Sequence, residues 1–102
     1  MLLDDNPIIA AVRTPSELAA ALKAPVGIIF LLNGSILTLA EDVRRTHEAG
    51  KLLFVHIDLA EGVGKDTSGV GFLSRLGVDG IISTRSGMIR AAKEWGMRTV
   101  QR

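Results

Sequence analysis

Short apolar runs alternate with longer amphipathic segments along the chain, and this alternation constrains the fold more than any other feature. The runs predicted to be strands are residues 7–12, 26–32, 52–57, 80–83 and 99–101. They recur about every 25 residues, which is close to the length of one β/α unit. Apolar strands separated by amphipathic helices are typical of a parallel sheet covered by helices. The pattern therefore predicts an α/β chain of the form βαβαβαβαβ.

Capping signals mark where the helices should begin. Thr14 and Glu17, and then Thr38 and Glu41, have the spacing of a capping box, in which each side chain bonds a free backbone N–H of the first turn. The third and fourth helices are predicted to be capped by Asp66 and Ser86. Glycines that suit helix ends follow at Gly50, Gly77 and Gly96.

The length of the chain limits whether the predicted sheet can close into a barrel. With 102 residues, one domain covering 1–102 is expected. About four and a half β/α units cannot close an eight-stranded barrel, which usually needs about 250 residues. We therefore predict a partial, TIM-barrel-like (β/α) structure or a small open sheet. Unpaired strand edges would lead to self-association into a homo-oligomer, to a rearrangement that covers the edges, or to poor stability.

Composition excludes several function classes. The 12 Lys and Arg residues nearly balance the 11 Asp and Glu residues, so the net charge of +1 gives no sign of a nucleic-acid patch. The chain has no cysteine, which rules out disulfides, thiolate catalysis and Cys-ligated zinc. The start does not resemble a signal peptide, and no apolar run reaches the length of a membrane span. A cytoplasmic protein without a membrane segment is predicted.

Polar side chains stand at the carboxyl end of every predicted strand, where parallel α/β folds bind their ligands. This convergence predicts a ligand-binding site. Its candidate residues are Arg13, Asn33, His56, Asp58, Ser83, Thr84, Arg85 and Gln101.

His56 and Asp58 interrupt an otherwise apolar run, and strand alternation would place both on the face of Phe54. Arg85 precedes a helix start, where free N–H groups favour an anion such as phosphate. In the plainer alternative, Asp58 caps its own loop and His56 is an interior histidine. Residues 61–65 are predicted to form a mobile loop over the site.

The other titratable residues do not indicate a functional site. His47 and Lys65 are expected to be solvated. Because only His56 and Asp58 have plausible ligand spacing, no metal site and no catalytic residue are predicted, and no cofactor is expected.

Blocks of sequence resemble a known family. FLLNGSI at 30–36, FVHIDL at 54–59 and DGIISTR at 79–85 look like the glycerol-3-phosphate-responsive antiterminator family. This resemblance implies a barrel-like regulator, not an enzyme, that senses glycerol 3-phosphate and acts on the leader mRNA of the glycerol uptake operon. His56 and Asp58 would accept hydrogen bonds from glycerol hydroxyls, and Arg85 or Arg13 would bind the phosphate. Family members are longer, so the chain resembles an N-terminal portion.

Two alternatives remain. The HIDL segment also resembles the HxDxxDG strand of metal-dependent sugar-phosphate epimerases, although Ala60 and Glu61 stand near the position of the second aspartate. The chain could also be a truncated, non-functional remnant.

Overall fold

A computed structural model describes residues 8–102, and this part of the chain alternates strands and helices as the apolar pattern predicts. The strands are β1 (Ile9–Val12), β2 (Ile28–Leu31), β3 (Leu52–His56), β4 (Gly80–Ser83) and β5 (Arg98–Gln101). The helices are α1 (Pro15–Lys23), α2 (Leu39–Glu48), α3 (Thr67–Leu76) and α4 (Ser86–Glu94). A 3-10 turn, Ile57–Leu59, follows β3. No helix among residues 8–102 is both long and apolar enough to cross a bilayer.

The strands form one parallel sheet in the order β1-β2-β3-β4-β5. The connection between two parallel strands is right-handed. Because each new strand is added on the same side of the previous one, every connecting helix lies on the same face of the sheet. A doubly wound sheet would instead reverse its strand order and carry helices on both faces. The order therefore confirms a partial, TIM-barrel-like α/β fold, which is open between β1 and β5 in the described residues.

The two faces of the sheet differ in their packing. The helix-covered face holds the core, in which Ile29, Leu53, Val55 and Ile81 are fully buried. We call the opposite side the inner face; one row across it is formed by residues in register, Ala11, Phe30, Phe54 and Gly80. The rings of Phe30 and Phe54 stack with centroids 5.3 Å apart. Phe54 also covers Gly80, where a Cβ atom would lie 2.6 Å from the ring.

Helix α1 begins largely as predicted. Thr14 Oγ1 accepts a hydrogen bond from the N–H of Glu17 at 3.1 Å. The Glu17 carboxylate accepts from the N–H of Arg13 at 2.6 Å, one residue before the position that a strict capping box would use. Asp66 caps α3 as predicted, because its carboxylate accepts from the Gly69 N–H at 2.8 Å.

Two capping predictions are wrong. Thr38 is the N-cap residue of α2, but its side chain bonds no N–H of the first turn. Glu41 binds Arg44 on the next turn instead of the cap. Ser86 is already helical, and Arg85 occupies the N-cap position of α4.

Strand boundaries also differ from prediction. Residue Pro7 of the predicted first strand lies outside the described residues. Strand β2 is limited to Ile28–Leu31, shorter than the predicted 26–32. Strand β3 ends at His56, because the chain enters the 3-10 turn at Ile57. Asp58 is thus in a turn, so strand alternation does not decide the direction of its side chain.

Two side chains expected to be solvated have protein partners. His47 Nε2 lies 2.8 Å from Asp79 Oδ2, which also accepts from the Leu53 N–H. Lys65 Nζ donates to the carbonyls of Ala60 and Val63 at 2.5 and 2.9 Å.

The segment 61–65 is also tied to the preceding loop. The Glu61 N–H bonds the Gly34 carbonyl at 2.8 Å, and the Ile36 N–H bonds the Glu61 carbonyl at 2.9 Å. Val63 is buried in the core. The segment predicted to cover the site is thus bonded to the β2–α2 connection at the carboxyl end of the sheet.

Candidate functional site at the carboxyl ends of β3 and β4

The carboxylate of Asp58 is the centre of the most densely hydrogen-bonded group at this end of the sheet. The Ser83 hydroxyl lies 3.0 and 3.1 Å from its two oxygens. Thr84 donates twice to Oδ2, from its backbone N–H at 2.9 Å and from its hydroxyl at 3.2 Å. We call His56, Asp58, Ser83, Thr84 and Arg85 the strand-end cluster. Asp58 therefore connects the turn after β3 to the connection after β4.

Local structure explains this arrangement. Strands β3 and β4 are parallel neighbours, so their carboxyl ends meet at the same edge. The 3-10 turn brings Asp58 across toward β4. Ser83 is fully buried, and its oxygen also accepts the Arg85 N–H at 3.0 Å. Asp58 and Ser83 together fix the backbone that leads into α4.

The same contacts keep Asp58 ionised. Burial works to raise its pKa, but the hydrogen bonds from Thr84 and Ser83 outweigh burial and hold the pKa below the ordinary 3.8. A depressed pKa adds stability above the ordinary value, and that stability is lost as the pH falls through the depressed one. At neutral pH, Asp58 is thus a negative charge that stabilises the cluster.

Arg85 is the exposed cation of the strand-end cluster. Its Nε lies 3.9 Å from Asp58 Oδ1, and its side chain is 59% exposed. At this distance and exposure Asp58 attracts the guanidinium without occupying its donors. Arg85 also precedes the first turn of α4, whose N–H groups favour a negative charge. The arrangement can accept an anion from solvent.

His56 is buried and held by a residue that the candidate set omitted. Its side chain is 3% exposed, and Nε2 lies 3.0 Å from Nη1 of Arg102. A guanidinium has only donors, so Nε2 must be the acceptor and the proton is on Nδ1. Nδ1 has no hydrogen-bond partner in the described chain and lies 4.0 Å from Asp58 Oδ2. The acceptor nitrogen proposed for a glycerol hydroxyl is therefore already used by Arg102.

The position of Arg102 beside His56 follows from the register of the sheet rather than from a sequence motif. His56 pairs with Ile82, which pairs with Val100, so the residue two positions after Val100 continues the same face. The backbone N–H of Arg102 still bonds the Ser83 carbonyl at 3.0 Å. Register with β5, which a single sequence does not reveal, is what directs this arginine to His56.

The other candidates do not join the strand-end cluster. Arg13 and Asn33 line a separate cavity beside the starts of α1 and α2. Gln101 is exposed, and its side chain makes no hydrogen bond within residues 8–102. Across the same range, no group of three or more His, Asp or Glu side chains could share a metal ion.

Comparison with known sequences decides the family. The sequence profile described as "Glycerol-3-phosphate responsive antiterminator" matches residues 8–102. The chain belongs to this family. The resemblance of its FVHIDL and DGIISTR blocks is thereby confirmed, and the strand-end cluster is built from those two blocks.

Three proteins that resemble this chain are longer than it. The uncharacterized protein YgcP of Escherichia coli is 37% identical over 102 residues, which are 99% of this chain and 53% of that protein. A crystal structure of the Listeria monocytogenes glycerol uptake operon antiterminator regulatory protein superposes with a TM-score of 0.88 at 28% identity, over 95% of this chain and 53% of that one. A related Thermotoga maritima protein gives 0.82 at 28% identity, over 94% and 54%. The chain therefore spans about half the length of these relatives.

Proposed function

We propose that this chain supplies part of a glycerol 3-phosphate sensor that acts in the cytoplasm on the leader mRNA of a glycerol operon. Family membership supports the regulatory role. The observation that carries the site is the Asp58 carboxylate, whose bonds to Ser83 and Thr84 fix the backbone from which Arg85 reaches solvent.

In this proposal the two ends of the ligand meet different groups. The phosphate binds the exposed guanidinium of Arg85 and the N–H groups at the start of α4. A glycerol hydroxyl donates to Oδ1 of Asp58, which receives fewer protein hydrogen bonds than Oδ2. His56 remains a neutral donor held by Arg102 and does not accept from the ligand. No contact of the described residues favours the epimerase-like alternative.

Regulation requires that the ligand favour one state of the protein. A ligand shifts an equilibrium only by its difference in affinity for the two states. Occupation of Arg85 would weaken its attraction to Asp58 and change the β4–α4 connection. RNA binding would then respond to ligand, with phosphate contacts from arginine and lysine that weaken as salt rises.

Isothermal titration with glycerol 3-phosphate tests the site, with glycerol and inorganic phosphate as comparisons. We expect the whole ester to bind most tightly and Arg85→Gln to weaken it at least about tenfold, because a charge-assisted hydrogen bond is lost. Arg90→Gln, on the exposed side of the same helix, is the matched control and should bind like the unmodified chain.

Two results would contradict the proposal. One is no binding by the folded chain, which would favour the remnant alternative. The other is equal affinity of the Arg85→Gln and Arg90→Gln variants for glycerol 3-phosphate. The same protein samples, titrated into labelled leader mRNA with and without glycerol 3-phosphate, test whether the ligand changes RNA affinity.

A further inference from the structure

Two of the four aromatic side chains of this protein are exposed, and both belong to the helical layer at α3 and α4. Phe30 and Phe54 stack on the inner face of the sheet, whereas Phe72 and Trp95 are 36% and 48% exposed. Phe72 is on α3, and Trp95 directly follows α4. Large aromatic rings left in water at neighbouring elements indicate a surface that binds a partner.

A glycine holds Trp95 against α3. A Cβ atom at Gly71 would lie 2.8 Å from Cζ2 of the indole ring, so the ring touches the backbone of the helix. About half of the side chain nevertheless remains in solvent. A ring that is already fixed loses little conformational freedom when a partner stacks on it. Trp95 is thus a preorganised contact surface.

Arg75 is the cation nearest to both aromatic positions along α3. It follows Gly71 by four residues and Phe72 by three, so it neighbours both positions on the helix surface. Its exposed side chain has no ion pair within 4.0 Å among residues 8–102. By contrast, Arg44 on α2 is bound by two glutamates of its own helix. The charge of Arg75 is therefore available to a partner.

Positive charge is concentrated next to this helix, although the net charge of the whole chain is only +1. Residues 1–84 contain seven Lys and Arg and ten Asp and Glu, whereas residues 85–102 contain five Lys and Arg and a single acid, Glu94. The second stretch forms α4 and β5, and α4 lies beside α3, where Trp95 meets Gly71. A local excess of positive charge beside exposed rings complements a polyanion that has aromatic bases.

We propose that Phe72, Arg75 and Trp95, which we call the aromatic–basic face, bind a single-stranded segment of RNA. Unpaired bases stack on the two rings, and a phosphate binds the guanidinium. A duplex fits less well, because its bases are already stacked on each other. This inference rests on the proposed action on leader mRNA and adds the surface that makes the contact.

The aromatic–basic face shares no residue with the strand-end cluster, but one helix connects them. Helix α4 begins directly after Arg85 and ends directly before Trp95. A ligand that moves the start of α4 would therefore move Trp95 as well, since a short helix transmits displacement along its axis. RNA and the small ligand would then bind at the two ends of the same element.

The intrinsic fluorescence of the protein tests this proposal directly, because Trp95 is the only tryptophan and the chain has no tyrosine. The probe is a single-stranded RNA of about 12 nucleotides, long enough for a typical single-strand site. The comparison is the same strand annealed to its complement. We expect the single strand to quench the emission of Trp95 to saturation and to bind more tightly than the duplex.

Substitutions separate stacking from charge when the RNA is labelled with fluorescein. Phe72→Leu and Trp95→Leu should each weaken binding at least about fivefold, and Trp95→Phe should retain most of it, because a ring is kept. Arg75→Gln should weaken binding and reduce the slope of log affinity against log salt by about 0.7, the value for one phosphate contact on a single strand. Lys23→Gln, at an exposed position of α1, is the matched loss of charge and should leave binding unchanged.

The outcomes distinguish this surface from the sensor proposal. If labelled leader mRNA binds but the emission of Trp95 does not change, or if Arg75→Gln binds like Lys23→Gln, the aromatic–basic face is overturned and the sensor role stands. An emission change with protein concentration alone would show that a second copy covers the face, and this would also overturn it. If no RNA binds, the face fails, and titration with glycerol 3-phosphate still decides the strand-end site.

Discussion

The two histidines of this chain should carry their protons on opposite ring nitrogens. His56 Nε2 faces the guanidinium of Arg102, which only donates, so its proton is on Nδ1. His47 Nε2 faces the carboxylate of Asp79, which only accepts when ionised, so Nε2 carries a proton there. Long-range ¹H–¹⁵N spectra of the imidazoles at neutral pH distinguish the two forms.

The variant Arg102→Met makes this prediction specific. Without the guanidinium, the ring of His56 is no longer restricted to one tautomer, and its ¹⁵N shifts should move while those of His47 stay. A proton on Nε2 of His56 in the unmodified chain would contradict the contact with Arg102.

The sequence predicted every residue of the strand-end cluster, but it could not separate them from the other three candidates, Arg13, Asn33 and Gln101. Arg13 and Asp58 both follow strands, and the pattern treats them alike. In the sheet, β1 and β4 are three strands apart, which is about 14 Å at the usual spacing. Arg13 lines the cavity beside the starts of α1 and α2, whereas Asp58 bonds Ser83 and Thr84. The division depends on strand order, which residue type does not encode.

At the scale of the element, Gly80 is the residue that lets β4 pair with β3 beneath an aromatic ring. A Cβ atom at this position would lie 2.6 Å from the ring of Phe54. Gly80→Ala should therefore lower the free energy of unfolding by about 1–3 kcal/mol, the usual cost of overpacking a core. Gly87→Ala is the matched control, since its Cβ meets nothing within 4 Å and the substitution should stabilise the protein by about 0.4–1 kcal/mol.

Urea unfolding of both variants measures the difference. Adding Phe54→Leu to Gly80→Ala should recover part of the loss, because a smaller side chain leaves room for the new methyl group. Equal stability of Gly80→Ala and Gly87→Ala would show that the ring of Phe54 does not constrain the strand.

Helix starts show why a local motif is an incomplete predictor. Thr14 and Thr38 are each followed three residues later by glutamate, yet only Thr14 caps its helix. Thr14 is extended, with ψ of 158°, and this directs its hydroxyl at the third residue of the helix. Thr38 has ψ of −8°, because the chain arrives from a turn that begins at Ser35. The sequence specifies the motif, and the preceding loop decides whether it forms.

For the whole molecule, the alternation of apolar runs and amphipathic segments predicts an α/β fold but not the order in which the strands pair. Each β/α unit is equally compatible with a barrel segment and with a doubly wound sheet. The choice depends on whether successive crossovers move the same way, and here they do. Helices then cover one face, and the inner face must pack its own side chains. The stacked rings of Phe30 and Phe54 pack against each other on that face.

This one-sided sheet gives a reason to expect homo-oligomers. Strands β1 and β5 are the edges of the described sheet, and such edges present unpaired backbone groups to other chains. Ile9 is 46% exposed at the β1 edge. It points to the inner face, because its neighbour Ala10 packs against the core. We therefore expect the chain to self-associate with rising concentration, and Ile9→Lys to weaken association about tenfold or more through lost apolar burial and added charge.

Light scattering coupled to size-exclusion chromatography, run over a range of loading concentrations, measures this association. Leu37→Lys is the matched control, because Leu37 is 88% exposed but lies in the β2–α2 connection, away from the sheet edges. If Ile9→Lys alone shifts the equilibrium toward monomer, the β1 edge carries the contact. If both variants match the unmodified chain, or if that chain is monomeric throughout, the inner face and its edges are satisfied without a second copy.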